Sequence, residues 1–246
     1  MKRALAVLVG ALIAGSAWAQ LPKLDGIMQG LGTSPKSGAA ESSVGAPDEK
    51  TSASGIKEAL AVGTETAVQN LSKANGYFGN QAVKILMPPS IQKVGDMARM
   101  AGFQKQVDEF VLSMNQAAEA AAPLAARYFS DAIRDMTLED ARGILTGGNT
   151  AATDFFRSKT RDTLYAAFKP TVSQKVGEVG TTRAYQDLVG RYESVPMLGK
   201  QSLDLDDYVT NKSLDGLFYM VGEEEKKIRA NPAARTTDLL KSVFSK

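Results

Sequence analysis

A carboxylate stands inside an apolar helical stripe near the carboxy-terminal end of this sequence. Stepping about 100° per residue around a helix axis puts Leu214, Leu217, Phe218, Val221, Glu225 and Ile228 on one side of residues 207–230. An unpaired charge on such a face would be costly, so Glu225 should meet a cation. Arg229, Arg235 and Arg183 are the candidates for this buried ion pair. The same group could instead act as a general acid with a displaced proton affinity. Buried pairs more often serve structure, and the structural reading is preferred.

Much other chemistry is excluded by composition. The chain has no histidine and no cysteine, so nucleophile–imidazole mechanisms, thiolate chemistry, disulfides and imidazole or thiolate zinc sites have no residues to run on. Carboxylate, lysine, tyrosine and serine–lysine chemistry survive, as do hard cations held by oxygen ligands. No catalytic, cofactor-binding or metal-binding residue is assigned.

Three further groupings each have a plainer explanation. Gly147, Gly148, Asn149 and Thr150 precede a helix and could offer backbone N–H groups to an anion. The turn lacks the lysine and spacing of a phosphate loop, and a helix stop followed by a threonine cap is preferred. Asp204, Asp206 and Asp207 could give oxygens to calcium, yet they lack the glycine and distal glutamate of a calcium loop. An N-cap at Asp206 with acidic neighbours is preferred. Tyr185, Tyr192, Tyr208 and Tyr219 could line a groove, although aromatic side chains at helical spacing usually belong to the core. Apart from Glu225, the run from Glu223 to Arg229 reads mostly as a solvated face, with Glu223–Lys227 and Glu225–Arg229 one turn apart and Glu224 on the edge of the apolar stripe.

The elements that must position these groups begin after the amino-terminal segment. Lys2 and Arg3, an apolar run over 4–14, and Ala17-Trp18-Ala19 make residues 1–19 read as a secretory signal peptide cleaved after Ala19. Neither that run nor any later one reaches the roughly 20 apolar residues of a transmembrane helix. The formal charge of +2 is carried by Lys2 and Arg3, so the mature chain is electrically balanced and its bulk composition gives no reason to expect nucleic-acid binding. Residues 20–54 are rich in Gly, Ser, Ala and Pro, the composition of a flexible leader, with only residues 21–31 apolar enough to dock.

From Gly55 the pattern is helical, and residues 55–246 read as a single domain with a core of its own. Ile56, Leu60, Ala67 and Leu71 open it; Asn75-Gly76 is a turn signal, and residues 83–87 form an extended piece stopped by Pro88-Pro89, which admits a short strand or hairpin near 76–87. Phe103, Val107, Phe110, Val111, Met114, Ala118 and Ala121 make a stripe that ends at Pro123, a kink or new start. Phe129, Ala132, Ile133 and Met136 follow. Thr137 to Asp140 resembles a capping box. Residues 150–168 form the next helix, broken at Pro170, with further helices over 171–179 and 181–194, the long helix 207–230 and a closing one at 237–244. No repeat of fixed period occurs. The expected fold is all-α: a compact, irregular or orthogonal multi-helix bundle wrapped around the long carboxy-terminal helix, whose apolar middle should be packed on several sides.

Six segments together resemble a known family: EALAVGTETAV (58–68), MNQAAEAAAP (114–123), AIRDMT (132–137), GGNTAATDFF (147–156), DYVTNKSLDGLFYM (207–220) and EEEKKIRANPAARTTDLLKSVF (223–244). They look like the bacterial family called domain of unknown function 4197, over about residues 55–244. The resemblance implies an exported helical protein of Gram-negative bacteria and supplies no activity. The functional expectation is therefore a periplasmic, non-catalytic binding or interaction protein of the cell envelope, with another envelope protein or a small molecule as partner. A carboxylate-dependent hydrolase of envelope polymers, with Glu225 and an aspartate as acid and base, and a peripheral membrane-associated protein using residues 21–31 are the alternatives.

Overall fold

The structure, a computed structural model, describes residues 49–178 and 204–230. The segments 1–48, 179–203 and 231–246 lie outside the described residues, and with them the expected signal peptide, most of the leader, the helices at 181–194 and 237–244, and Arg183, Tyr185, Tyr192 and Arg235.

Helices account for nearly all that is described: α1 (Glu49–Ser72), α2 (Gln92–Met100), α3 (Gln104–Ala121), α4 (Ala125–Arg134), α5 (Leu138–Thr146), α6 (Ala151–Glu178) and α7 (Leu205–Ala230). Short 3-10 turns at Pro89–Ile91 and Ala122–Leu124 lead into α2 and α4. The second contains Pro123, where the helical stripe does end and restart, because a proline ring cannot sit under the carbonyl of the preceding turn.

Helix α7 packs on α6, α1 and α3, while α6 reaches α3, α4 and α5 as well. The core runs through all of them. Phe129, Phe156 and Phe218 meet from α4, α6 and α7, with ring centroids 5.0 Å apart for the first pair and 6.2 Å for Phe129–Phe218. Tilted and edge-on rings of this kind add to the burial of their apolar area. The long helix is not enclosed all round: Tyr219 stays 45% exposed, and Lys212, Asp215 and Lys226 are exposed with it. Its buried side is widened by small residues instead, Ser213, Gly216 and Gly222, which let neighbouring helices come close.

Four expectations are corrected. Pro170 does not break the helix: α6 is continuous through it. Phe168 and Val172 flank the proline with no exposed surface, and burying two such side chains, at about 1.5–3 kcal/mol each, offsets a penalty of roughly 3 kcal/mol. Helix α1 starts at Glu49 rather than near Gly55, because Ala53 is already in the core and Glu49 pairs with Arg142 of α5. No strand or hairpin forms near 76–87, and no strand occurs among the described residues. The cap of the long helix is Asp204, not Asp206: its carboxylate accepts the backbone N–H of Asp207 at 2.8 Å.

The stretch between α1 and α2 shows where the hairpin went. Asn75 takes a left-handed φ of 63°, which asparagine tolerates, and Gly79 donates to the Asn75 carbonyl at 2.9 Å. The remaining backbone groups do not find a second strand. Some close local turns, as Asn80, Val83 and Lys84 do, and five are taken by two side chains one turn apart on α3. Asn115 accepts from the N–H of Ile85 and donates to its carbonyl, both at 2.8 Å, and Glu119 takes the N–H groups of Asn75, Tyr77 and Phe78 at 3.1–3.2 Å. Helix α3 thus supplies the hydrogen bonds that a partner strand would have given.

Candidate functional site

Helix α5 ends at Thr146 and α6 begins at Ala151, with the glycine turn between them. A new helix presents backbone N–H groups that have no partner within it. The Thr150 hydroxyl does not cap them; it points to Asp154 at 3.2 Å. Glu225 does, reaching across from α7. Its Oε1 accepts the N–H of Ala152 at 3.0 Å, and its Oε2 accepts the N–H and the hydroxyl of Thr153 at 2.9 and 2.8 Å. The anion that the glycine turn can hold is the chain's own carboxylate.

Arg229 completes the arrangement from one turn further along α7. Its Nε and Nη2 donate to Glu225 Oε1 at 3.0 and 2.9 Å, and Nη2 also donates to the Ile144 carbonyl at 2.7 Å. A cation therefore lies at the carboxy-terminal end of α5 and an anion at the amino-terminal end of α6, the polarity each helix dipole favours. The side chains of Glu225 and Arg229 are 5% and 15% exposed, so the pair is protected from solvent screening. Of the three candidate partners, the structure brings Arg229 to Glu225; Arg183 and Arg235 are outside the described residues.

A crevice adjoins this pair, lined by Ile56, Ala59, Leu60, Gly63, Ile228 and Arg229 among others, with a volume of about 20 Å³. That is far below the several hundred Å³ of a typical small-molecule pocket. With five donors on its two oxygens, Glu225 has no lone pair left for a substrate proton.

The charge run beyond it pairs differently from the sequence spacing. Lys227 meets Glu224 at 2.6 Å rather than Glu223, and Lys226 takes Glu223 at 2.8 Å. Glu224, on the edge of the apolar stripe, is itself largely buried, its side chain 10% exposed. Helix α1 approaches α7 there closely enough that a Cβ at Gly63 would lie 3.7 Å from the Glu224 Cβ.

A second feature is a polar seam between α6 and α7, which run antiparallel. Arg157, Arg161, Tyr165, Lys169 and Ser173 follow one another at four-residue spacing along α6. Opposite them stand Asp215, Asn211, Asp207, Asp204 and Asp206. Arg161 donates to Asn211 Oδ1 at 3.2 Å, Tyr165 donates to Asp207, and Ser173 donates to Asp206. Lys169 donates to the Tyr165 hydroxyl oxygen at 3.0 Å and lies 3.6 Å from Asp204 and 3.9 Å from Asp207. The bond to Tyr165, with the carboxylates behind it, raises the Lys169 ammonium above the usual lysine range. The three aspartates weighed for calcium are thus engaged by α6, and no cluster of three or more acidic side chains placed to hold a metal ion occurs among the described residues.

Of the four tyrosines weighed for a groove, the two among the described residues lie apart. Tyr208 donates to the Leu86 carbonyl at 3.1 Å, and burial raises its phenol above the ordinary value; Tyr219 lies about three turns away on the exposed face. The residue that the sequence reading missed is Glu119. It is 8% exposed and is the sole charge in the run 110–126, which is the signal that could have found it. Beneath it Tyr77 is fully buried, donates to the Ser213 carbonyl at 2.8 Å, and has its phenol pushed far up by burial first and Glu119 second.

These features describe an all-α protein whose ionisable core groups hold helix ends and loop backbone in place, and no helix among the described residues is long and apolar enough to cross a membrane. The chain belongs to the family described as protein of unknown function (DUF4197), whose model matches residues 46–245. No curated protein and no solved structure matches it.

Proposed function

We propose that this chain is an exported protein of the Gram-negative cell envelope, residing in the periplasm, that acts by binding a partner or ligand rather than by catalysis. The export reading rests on the sequence of residues 1–19. The binding reading is carried by Glu225, the carboxylate best placed by sequence to be an acid or base. An acid–base catalyst must reach a substrate proton, whereas Glu225 is engaged by two backbone N–H groups, a hydroxyl and a guanidinium beside a crevice of about 20 Å³.

The test is native mass spectrometry on protein isolated from the periplasmic fraction. A mass above that of the processed chain, lost on denaturation, is the expected result. Breakdown of an envelope polymer by the purified chain, abolished by Glu225→Gln while the fold survives, would overturn the reading in favour of a hydrolase.

A further inference from the structure

Charge is unevenly distributed along the seam. At its amino-terminal end on α6, Arg157 and Arg161 stand one turn apart, and Lys212 reaches toward them from α7. All three converge on one carboxylate, Asp215, at 4.0, 4.0 and 3.7 Å. Three cations around one anion leave a local excess of positive charge, and contacts this long lie at the outer limit of ion pairing. Asp154, one turn earlier on α6, takes the Thr150 hydroxyl instead.

The two guanidiniums are held by different means. Arg157 lies over the ring of Phe218 at 4.7 Å from its centroid, which fixes its plane without consuming N–H donors. Arg161 gives one N–H to Asn211. Arg157, Arg161 and Lys212 have side chains 43%, 35% and 49% exposed, so solvent-borne groups can reach them. A planar guanidinium fork suits two oxygens of a tetrahedral oxyanion, and a lysine beside it adds charge without demanding geometry.

We propose that Arg157, Arg161 and Lys212 form a recognition site for a phosphate group, with Asp215 as the internal carboxylate that the phosphate displaces. This rests on the binding reading above and names the chemistry of the ligand. A phosphate of this kind can be presented by a phospholipid headgroup or by a soluble phosphorylated molecule.

The experiment uses the mature chain in two arms: titration calorimetry with inorganic pyrophosphate, and co-sedimentation with phosphatidylglycerol vesicles against phosphatidylcholine vesicles, both at low salt. Thermal melts first establish that R157Q/R161Q and D215N are folded. Binding is expected in one arm, which identifies the source; R157Q/R161Q should weaken it about tenfold or more, and D215N should tighten it several-fold by removing the internal competitor. If the double variant does not fold, D215N alone decides. Binding in neither arm, or binding unaltered by the substitutions, overturns the proposal. A ligand retained by native protein and indifferent to R157Q/R161Q would sink this site while leaving the binding reading intact.

Discussion

Glu225 and Arg229, one turn apart on α7, join the end of α5 to the start of α6 through a single ion pair 2.9 Å long. The carboxylate takes the first free N–H groups of α6 and the guanidinium takes a carbonyl from the last turn of α5, so the glycine turn between these helices is fixed from outside. Both oxygens of Glu225 face donors alone. Glu225→Ala should therefore cost about 3–5 kcal/mol by stranding a buried cation and several N–H groups. Glu225→Gln should recover little of it, because either orientation turns an NH₂ toward donors. Glu224→Ala, which releases only a half-exposed lysine, should cost under about 1 kcal/mol. Chemical denaturation measures all three, and equal effects at the two positions would contradict this role for Glu225.

Glu119 makes a contrasting case. Its Oε1 accepts from Tyr77 and Phe78, while Oε2 accepts only from Asn75 at 3.2 Å. An amide can keep the two bonds at one oxygen and lose one. Glu119→Gln should cost about 1 kcal/mol, against about 3 kcal/mol or more for Glu119→Ala. Hydrogen exchange should locate the loss in residues 75–78, and uniform protection there in the alanine variant would show that the loop does not depend on Glu119.

What the sequence made legible follows from periodicity. The stripe of Phe110, Met114, Ala118 and Ala121 and the stripe of α7 are repeated signals, and each lands in the core. Glu225 was visible as a break in such a stripe. Glu119 carries a weaker signal, a lone charge in an alanine-rich run, since on a face of alanines an acidic residue reads as solvated until the loop that covers it is in place. The hairpin near 76–87 failed for the same reason: an extended segment signals its need for backbone partners but not whether a strand or side chains from a helix will meet it. Pro170 misled because local propensity carries no information about Phe168 and Val172 being held on both sides of it. The spacing of Arg157, Arg161, Tyr165, Lys169 and Ser173 was available throughout, yet it becomes a seam only once α7 lies antiparallel beside it.

The capping box of α5 gives a pH-dependent prediction. Thr137 accepts from the Asp140 N–H at 3.0 Å, and Asp140 accepts from the Thr137 N–H at 3.0 Å. That backbone bond, with the Thr137 hydroxyl second, lowers the Asp140 carboxyl below its ordinary value. A lowered folded-state value means the contribution is complete above the usual carboxylate range and disappears as pH falls through the lowered one. The Tm difference between wild type and Asp140→Asn should thus narrow on acidification. Thr137→Ala, removing the cap itself, should cost about 1 kcal/mol, or about 2–4 °C in Tm, at neutral pH. A gap between wild type and Asp140→Asn that widens in acid would refute the assignment.

Export can be followed through one side chain. Trp18 is the single tryptophan of the sequence and lies within the segment expected to be cleaved. Protein recovered from the periplasm should show tyrosine emission alone, with a mass beginning at Gln20. Periplasmic material that retains the mass from Met1 would remove the basis for the export reading.

A tight helix-to-loop approach in the core should behave as a coupled pair. A Cβ placed on Gly216 of α7 would lie 2.7 Å from Tyr77 Cε1 and 3.1 Å from the Val83 Cβ. The ring cannot swing away, because it is fully buried and its hydroxyl is tied to the Ser213 carbonyl on the same helix. Gly216→Ala gains helix propensity, about 1 kcal/mol at most, and must overpack this contact at about 1–3 kcal/mol. The net effect should be destabilising. Tyr77→Leu removes the obstructing edge at its own cost in volume and one hydrogen bond, so in that background Gly216→Ala should cost less, with only the Val83 contact at 3.1 Å left to relieve. The coupling, measured as a double-mutant cycle in denaturant, should be about 1–2 kcal/mol. Strict additivity would mean that the ring and the helix backbone are not in contact, and the loop between α1 and α2 would then not be seated on α7 as described.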